Sequence, residues 1–420
     1  MEKEALIQVV HFWHRVANEG TLFHRNLIDN MNLKGRTIID VVGPRQSGKS
    51  SILKLLVRKL DGWLYINFED PFFIQNNQAT VLAELIDIYL EYFQPKLEYL
   101  FLDEIQNIEN WEKAVRRLHE GNRYKIFLTG SSSKLMSREL STLITGRHYS
   151  YELMPLNFKE FLLFKGLKIN SFKEFALQKT KINRYFDRYL KLGGFPKIVL
   201  ENNEELLKQY YLDILERDII KRYDIRQKDI LEKLGVFLLS HSAKMSSLTA
   251  LGKTFAVSFE MIANYMDYFR EAFLLFELPQ FSFSLKTQQK ALKKVYASDT
   301  GLANAVSFRF SEDKGRMLET CIFLHLRQQP AKIYYYKTRG GLEVDFLVKR
   351  GGKSELIQVC HDFIERETKQ REIKALIEAM TELRLSTGQI VTKTVKDTIR
   401  IGKNTIHVLP ASERLLDFAG

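Results

Sequence analysis

The residues best suited to chemistry lie in one short segment near the N-terminus. The run GPRQSGKS over residues 43–50 matches the pattern G-x-x-x-x-G-K-[ST] at every fixed position. Its two glycines let the backbone curl so that N–H groups converge on phosphate oxygens. The lysine of this pattern reaches the β- and γ-phosphates, and the serine hydroxyl is a ligand for Mg²⁺. We therefore predict a nucleotide site formed by Gly43, Pro44, Arg45, Gln46, Ser47, Gly48, Lys49, Ser50 and Ser51.

A pair of acidic residues, Asp103-Glu104, directly follows the mostly apolar run 97–102. An acidic residue at a strand end can hold the hydration shell of Mg²⁺, and the carboxylate beside it can orient and deprotonate an attacking water. We predict that Ser50 and Asp103 bind the metal and that Glu104 activates water, which favours hydrolysis over transfer to a small molecule. A solvated helix N-terminus is the alternative interpretation. No N-K-x-D motif occurs, so ATP is preferred over GTP.

Polar and basic residues after a third apolar run would complete this site. Residues 125–128 lead into Thr129-Gly130-Ser131, and we predict that Ser131 lies between the water and the γ-phosphate. Arg138 and Arg147 are candidates for neutralising transition-state charge, an effect of about 10³–10⁵ in rate, from the same or a neighbouring subunit. For Arg138 a surface salt bridge is the favoured interpretation. The predicted catalytic set is Lys49, Glu104, Ser131 and Arg147.

Apolar runs of strand and helix type must position these residues. The β-branched run 37–42 precedes the glycine loop and is typical of a buried parallel strand. Apolar residues then recur with helical spacing at Ile52, Leu55, Leu56 and Leu60. The order of strand, loop and helix predicts an α/β fold built on a parallel sheet.

The composition excludes several classes of protein. With 420 residues, 45% of them hydrophobic, the chain is not globally disordered, and at about 150 residues per domain it holds several folded units. Its two cysteines, Cys321 and Cys360, are too few for a disulfide scaffold. No uncharged apolar run approaches the ~20 residues of a membrane span, and the charged N-terminus is unlike a signal peptide. We expect a soluble cytoplasmic protein without a membrane partner.

The net charge of +12 is unevenly distributed. Residues 1–150 hold 19 basic and 18 acidic residues, whereas residues 151–420 hold 44 and 33. This excess of 11 positive charges in the second segment indicates an anionic partner, of which nucleic acid is the most plausible. A basic surface that merely aids solubility is the alternative.

The motifs above, with Gly146-Arg147 and the run LMPLNFKEF over 153–161, resemble a prokaryotic, largely archaeal family of AAA-like P-loop ATPases. The resemblance implies ATP and Mg²⁺ as cofactors and four domains. These are a P-loop NTPase core with a parallel sheet (residues 1–155), a helical lid (156–224), a winged helix (225–305) and a restriction-endonuclease-like α/β domain of unknown function (306–420). The residues of 156–222 by themselves indicate only a helical domain, interrupted by a turn at 193–196.

The region 258–294 looks like a winged helix. Ser258 would cap a helix whose apolar positions run from Ile262 to Phe273, and the alternating run 281–285 predicts a strand. Four lysines without an intervening acid follow, and in a winged helix they would contact DNA phosphates. A protein-docking role and a merely solvated face are the alternatives. These lysines are Lys286, Lys290, Lys293 and Lys294.

Two strands joined by a glycine hairpin are predicted in the C-terminal region, over 342–348 and 355–360. Glu319, Asp345 and Gln358 resemble the metal-binding pattern of restriction-like nucleases. Where that pattern has a lysine, this chain has Cys360, a neutral thiol, and losing that cation would remove most activity. Nothing in the sequence places Lys337 or Lys369 in that role. We expect a vestigial nuclease site in a domain that serves binding or dimerisation.

Three functions remain open on the sequence alone. The first is an ATP-hydrolysing switch that acts on DNA through the winged helix and the nuclease-like domain. The second is a signalling or scaffold ATPase whose C-terminal domains bind protein, with homo-oligomers included. The third is an ATP-dependent nuclease, against which the missing lysine argues.

Overall fold

The computed structural model describes residues 3–130, 148–307 and 314–417. The chain divides into two compact units. One comprises Met1–Met154 with the short segment Glu271–Phe273, and the other comprises Pro155–Arg270 with Leu274–Gly420. None of the helices within the described ranges has both the length and the hydrophobicity that crossing a membrane requires.

The N-terminal unit is built on a five-stranded, wholly parallel sheet with the strand order β2-β3-β4-β1-β5. In this order β4 separates β1, which precedes the glycine loop, from β3, which ends in the acidic pair. Because all strands are parallel, their carboxyl ends meet at one edge. The predicted α/β fold is confirmed. The strands are β1 (Ile38–Val42), β2 (Trp63–Asn67), β3 (Tyr99–Asp103), β4 (Lys125–Gly130) and β5 (His148–Glu152).

Helices cover this sheet and bury its β-branched and aromatic residues. Ile39 and Val41 of β1 pack in one cluster with Ile52 and Leu56 from the helix after the loop. Asn26–Asn30 and Ile105–Asn107 form short 3-10 turns. The helices are α1 (Lys3–Asn18), α2 (Lys49–Val57), α3 (Phe72–Gln75), α4 (Val81–Tyr92) and α5 (Trp111–Glu120).

The second unit begins with helices, as predicted. Asn157 starts the first of them with a capping box, in which its side chain accepts from the Glu160 N–H and the Glu160 carboxylate accepts from the Asn157 N–H. The predicted turn at 193–196 separates two further helices. A π-helical turn spans Ile214–Ile220. The helices are α6 (Phe158–Phe164), α7 (Phe172–Leu192), α8 (Pro196–Glu201), α9 (Glu205–Asp213) and α10 (Lys221–Tyr223).

A three-stranded antiparallel sheet of order β6-β8-β7 follows, with helices before and between its strands. The helix predicted after Ser258 is confirmed, and the Ser258 Oγ accepts a hydrogen bond from the Met261 N–H at 3.1 Å. The elements are α11 (Lys228–Ser240), β6 (Lys244–Ser246), α12 (Leu248–Phe255), α13 (Phe259–Glu271), β7 (Leu275–Leu278), α14 (Leu285–Lys290), β8 (Lys293–Ala297) and α15 (Thr300–Val306).

The strand predicted over 281–285 is wrong. Leu285 instead begins α14, and the Oγ of Ser284 caps this helix by accepting from the Thr287 N–H at 3.3 Å. Phe283 and Leu285 are 84% and 75% exposed, so the alternation of Phe and Ser does not mark one buried face. The serine side chains accept backbone hydrogen bonds in the turn and at the helix cap.

The C-terminal part is a six-stranded mixed sheet of order β13-β14-β12-β11-β10-β9. The glycine hairpin is confirmed, since β10 and β11 pair antiparallel and Gly351 and Gly352 between them have positive φ. Leu376, Ala379 and Met380 of a long helix are buried in the core cluster of this sheet. The elements are α16 (Lys314–Arg327), β9 (Lys332–Lys337), β10 (Glu343–Arg350), β11 (Lys353–Cys360), α17 (Arg366–Glu382), β12 (Thr387–Thr392), β13 (Asp397–Ile401), β14 (Asn404–Pro410) and α18 (Ala411–Arg414).

Candidate active site

The glycine loop connects β1 to α2 through residues with positive φ. Gly43, Gln46 and Gly48 have φ of 153°, 65° and 99°. A Cβ on Gly43 would lie 2.2 Å from the carbonyl oxygen of Leu153, so no side chain fits there. Gly48 immediately precedes α2. The N–H groups of the first turn of α2, which have no partner within the helix, therefore lie at the carboxyl edge of the sheet.

The Lys49 side chain folds back over the loop. It is 4% exposed, and its Nζ donates to the carbonyl oxygens of Gly43 and Pro44, both at 3.1 Å. The same Nζ lies 3.8 Å from Glu104 Oε1. The structure thus brings the predicted phosphate-binding lysine and the predicted water-activating glutamate together.

Arg25 binds the glycine loop through hydrogen bonds, and the sequence did not predict it as a site residue. Its guanidinium is buried and donates to the carbonyl oxygens of Ser47 at 2.8 Å and Met154 at 2.7 Å. These bonds tie the loop to the chain that follows β5. An arginine far from the motif in sequence carries no local signal of this contact.

Asp103 ends β3 and is fully buried. Its Oδ2 accepts from the Tyr65 hydroxyl at 2.7 Å and from Asn67 Nδ2 at 3.2 Å, and its Oδ1 accepts from the Thr129 hydroxyl. Burial, then the neighbouring Glu104, raise the pKa of this carboxyl, while a hydrogen bond from the Ser50 side chain opposes the rise. Both predicted metal ligands, Ser50 and Asp103, therefore lie close enough to interact electrostatically.

Glu104 has a φ of 53°, in the left-handed region that non-glycine residues rarely occupy. The carboxylate is nearly buried and accepts from Gln106 Nε2 at 2.6 Å. Strained backbone of this kind persists only where the surroundings fix it, and it occurs preferentially at functional sites. Here the surroundings fix the carboxylate close to Lys49.

Thr129, at the end of β4, was also missed by the sequence analysis. Its hydroxyl donates to Asp103 Oδ1 and accepts from the Glu104 N–H at 3.0 Å. The position follows from the strand order, because β4 lies between β1 and β3. A hydroxyl residue ending the third apolar run was the available signal. Ser131, predicted for a related role, lies outside the described residues, as do Arg138 and Arg147.

The remaining loop residues differ in their surroundings. Ser47 is fully buried, and its Oγ has no hydrogen-bond partner within the described part of the chain. Arg45 Nη1 donates to Glu69 Oε1 at 3.0 Å. Ser51 lies half-buried in the first turn of α2.

Comparison with known proteins agrees with this geometry. The model of a family described as an AAA domain matches residues 35–162, and two families described as domains of unknown function, DUF8612 and DUF4143, match residues 183–313 and 314–413. The uncharacterized protein MJ1544 of Methanocaldococcus jannaschii is 37% identical over 94% of this chain and 91% of its own length. The chain belongs to this family of AAA-like P-loop ATPases.

Other relatives of this AAA-family protein are more distant. An uncharacterized protein of Haemophilus influenzae is 27% identical over 80% of this chain and 85% of its own length. Among solved structures, Aeropyrum pernix Orc1 in complex with DNA covers 73% of this chain and 92% of its own, with 11% identity and a TM-score of 0.29. AMPPCP-bound DnaA from Aquifex aeolicus covers 63% and 88%, with 13% identity and a TM-score of 0.24.

The lysines predicted to contact DNA have different environments. Lys286 and Lys290 are exposed on α14. Lys293 pairs with Glu277 at 2.8 Å. The prediction that Lys294 contacts a phosphate is wrong, because its side chain is 4% exposed and its Nζ pairs with acidic side chains. Sequence alone did not reveal this, since neighbouring residues of a strand face opposite sides.

The outer face of α13 is not basic either. Its exposed residues include Glu260, Asn264, Asp267 and Arg270. Arg270 is itself paired with Asp267 and with Glu277. A helix that presents carboxylates in this way would be repelled by the phosphates that flank a DNA groove.

In the C-terminal sheet the structure brings Glu319, Asp345 and Gln358 together. Gln358 Oε1 accepts from the Asp345 N–H at 3.1 Å, and its Nε2 donates to Glu372 Oε2 at 2.5 Å. Burial raises the pKa of the Cys360 thiol to about 11, so it is neutral near pH 7. Within residues 3–130, 148–307 and 314–417, no group of three or more His, Cys, Asp or Glu is arranged to hold a metal ion.

Proposed function

We propose that this protein binds ATP with Mg²⁺ at the glycine loop and hydrolyses it, with the nucleotide state controlling the domains that follow. The observation that carries the proposal is the convergence of Lys49, Ser50, Asp103 and Glu104 at the carboxyl edge of the parallel sheet. Thr129, at the end of the intervening strand β4, bridges the two acidic residues. Phosphate-binding, metal-binding and water-activating groups then lie within reach of one γ-phosphate.

The residues present fit this substrate and metal. Gly43 leaves no room for a side chain beside the loop, and the buried Ser47 Oγ lacks a partner among the described residues. The backbone N–H groups of residues 43–51 and the Lys49 ammonium would hold the phosphates. Ser50 and Asp103 would hold Mg²⁺, which when bound neutralises charge on the β- and γ-phosphates.

Hydrolysis then requires one proton transfer by the chain. Glu104 accepts a proton from the attacking water as the water oxygen bonds to the γ-phosphorus and the bond to the β-phosphate oxygen breaks. A positioned general base typically contributes about 10²–10⁴ in rate. Gln106, through its hydrogen bond to Glu104 Oε2, orients the carboxylate. In this proposal Ser131 is a polar contact to the γ-phosphate, and Arg147 is the cation that neutralises transition-state charge.

For the partner of the later domains we propose DNA. We interpret residues 225–305 as a winged helix, because the order α11, β6, α12, α13, β7, α14, β8 and the sheet order β6-β8-β7 fit that architecture, with α14 in the connection between the last two strands. The excess of 11 positive charges in residues 151–420 and the exposed Lys286 and Lys290 support contact with phosphates. Contact would then run through α14 and not through α13.

A protein partner is the second candidate. It is favoured by the carboxylates on the outer face of α13, the helix that would otherwise enter a DNA groove. Winged helices with such a face suit a basic protein surface better than a nucleic acid.

The two candidates are separated by steady-state ATP turnover with and without duplex DNA, at low and high salt, with Glu104→Gln as the blank. Stimulation that fades with salt and is lost in the double variant Lys286→Ala, Lys290→Ala supports DNA. Lys353→Ala, at an exposed position on β11, is the matched control. Turnover that ignores DNA, with a protein that co-purifies, supports the second candidate. Tight ATP binding by Lys49→Ala contradicts the nucleotide site itself.

A further inference from the structure

A buried lysine contacts three carboxylates that line a cleft in the second unit. The cleft has a volume of about 820 Å³ and is lined in part by Glu319, Glu343, Asp345 and Gln358. Lys294 comes from β8 of the preceding three-stranded sheet. Its Nζ lies 2.9 Å from Glu319 Oε1, 2.6 Å from Glu343 Oε1 and 3.0 Å from Asp345 Oδ1.

These contacts enclose the ammonium in acidic groups. The Nζ donates hydrogen bonds to Glu319 Oε1 and Asp345 Oδ1, and Glu343 Oε1 forms a third ion pair with it. Three carboxylates this close repel a phosphate or an anionic nucleophile that would approach the same ammonium. Lys294 therefore does not replace the lysine that is missing at Cys360.

The carboxylates are held from the other side by neutral donors. Glu319 Oε1 also accepts from the Tyr296 hydroxyl at 2.7 Å, and Asp345 Oδ2 accepts from the Val359 N–H at 2.9 Å. Two of the three carboxylates are thus held in place by hydrogen bonds within the fold.

The surroundings of the lysine match a cation. Its side chain is 4% exposed, and its Nζ lies within 3.0 Å of an oxygen from each of the three carboxylates. A charged ammonium surrounded by carboxylate oxygens at these distances occupies the position that a cation takes in an acidic cluster.

We propose that Lys294 is the permanent cation of this cluster, and that the C-terminal cleft therefore functions without a divalent metal. Three carboxylates that would otherwise need a metal ion to remain close together are held by a side chain of the same chain. The acidic residues serve to join β8 to α16 and β10, and metal-dependent phosphodiester cleavage does not take place in this cleft.

The test is Mn²⁺ binding to the full-length protein without nucleotide, followed by electron paramagnetic resonance of free Mn²⁺. Wild type and Asp345→Asn should bind Mn²⁺ equally. Lys294→Ala should gain one site, and adding Asp345→Asn to it should weaken that site at least about tenfold. Lys293→Ala, which removes the neighbouring exposed lysine, should behave as wild type.

Two results would overturn the proposal. One is Mn²⁺ binding by wild type that Asp345→Asn weakens, because the metal and Lys294 would then share the cluster. The other is a folded Lys294→Ala protein without a new site. If Lys294→Ala fails to fold even with Mn²⁺ present, the comparison of wild type with Asp345→Asn still decides the question.

Discussion

Replacing Thr129 by valine tests whether the hydroxyl at the end of β4 holds the two acidic residues in place. Valine keeps the shape but removes the hydrogen bond to Asp103 Oδ1 and the one from the Glu104 N–H, both at the fully buried Thr129 hydroxyl. A hydrogen bond to a charged group contributes about 1.5–3 kcal/mol, and one between neutral groups about 0.5–1.5 kcal/mol. We expect the free energy of unfolding of the N-terminal unit to fall by about 2–4 kcal/mol. Thr129→Ser, which keeps the hydroxyl, should lose only about 1 kcal/mol.

Tryptophan fluorescence during urea unfolding measures this change in the correct unit, because Trp13, Trp63 and Trp111 are the protein's three tryptophans and all lie within residues 1–154. ATP turnover of the valine variant should fall at least about tenfold, since a loss of about 1.4 kcal/mol in positioning Glu104 corresponds to that factor. Equal unfolding midpoints for the valine and serine variants, or wild-type turnover in the valine variant, would refute the reasoning.

Three further predictions concern the loop and the second unit. Arg25→Lys can reach only one of two carbonyls and should weaken ATP binding about tenfold in calorimetry, whereas Arg58→Lys, away from the loop, should not. Gly43→Ala, whose Cβ would meet the Leu153 carbonyl oxygen, should abolish ATP binding while leaving the second unit folded. Burial raises the pKa of Asp299 to about 6 from 3.8, so its contribution to stability is present below pH 3.8 and is lost as pH rises to about 6. Chemical denaturation followed by far-UV circular dichroism should show that Asp299→Asn removes this decrease, of about 3 kcal/mol, and an unchanged pH slope would contradict it.

The sequence predicted those parts of the site in which the functional residues lie in the same short segment as the residues that position them. The loop 43–51 carries its own turn residues and lies between a strand and a helix, so its structure follows from local rules. The pair Asp103-Glu104 ends an apolar strand, and parallel strands bring such ends to one edge.

The parts that sequence did not predict depend on contacts between distant segments. Arg25 meets Met154 across 129 positions, and Lys294 meets Asp345 across 51. No periodicity or spacing encodes such a pair, because it depends on how whole sheets pack. The strand predicted over 281–285 is wrong for the opposite reason. The local alternation of apolar and polar residues favours a strand, but this segment leads into a helix.

The position of Lys294 has a consequence for how the chain can be divided. The match to the C-terminal family begins at residue 314, after Lys294 but before Glu319, Glu343 and Asp345. A fragment that starts at this boundary would contain three clustered carboxylates without the ammonium that compensates them, and breaking a buried ion pair in this way costs about 3–5 kcal/mol. A C-terminal piece that includes β8 should therefore be more stable than one that begins at residue 314, because it keeps the ammonium beside its three carboxylates.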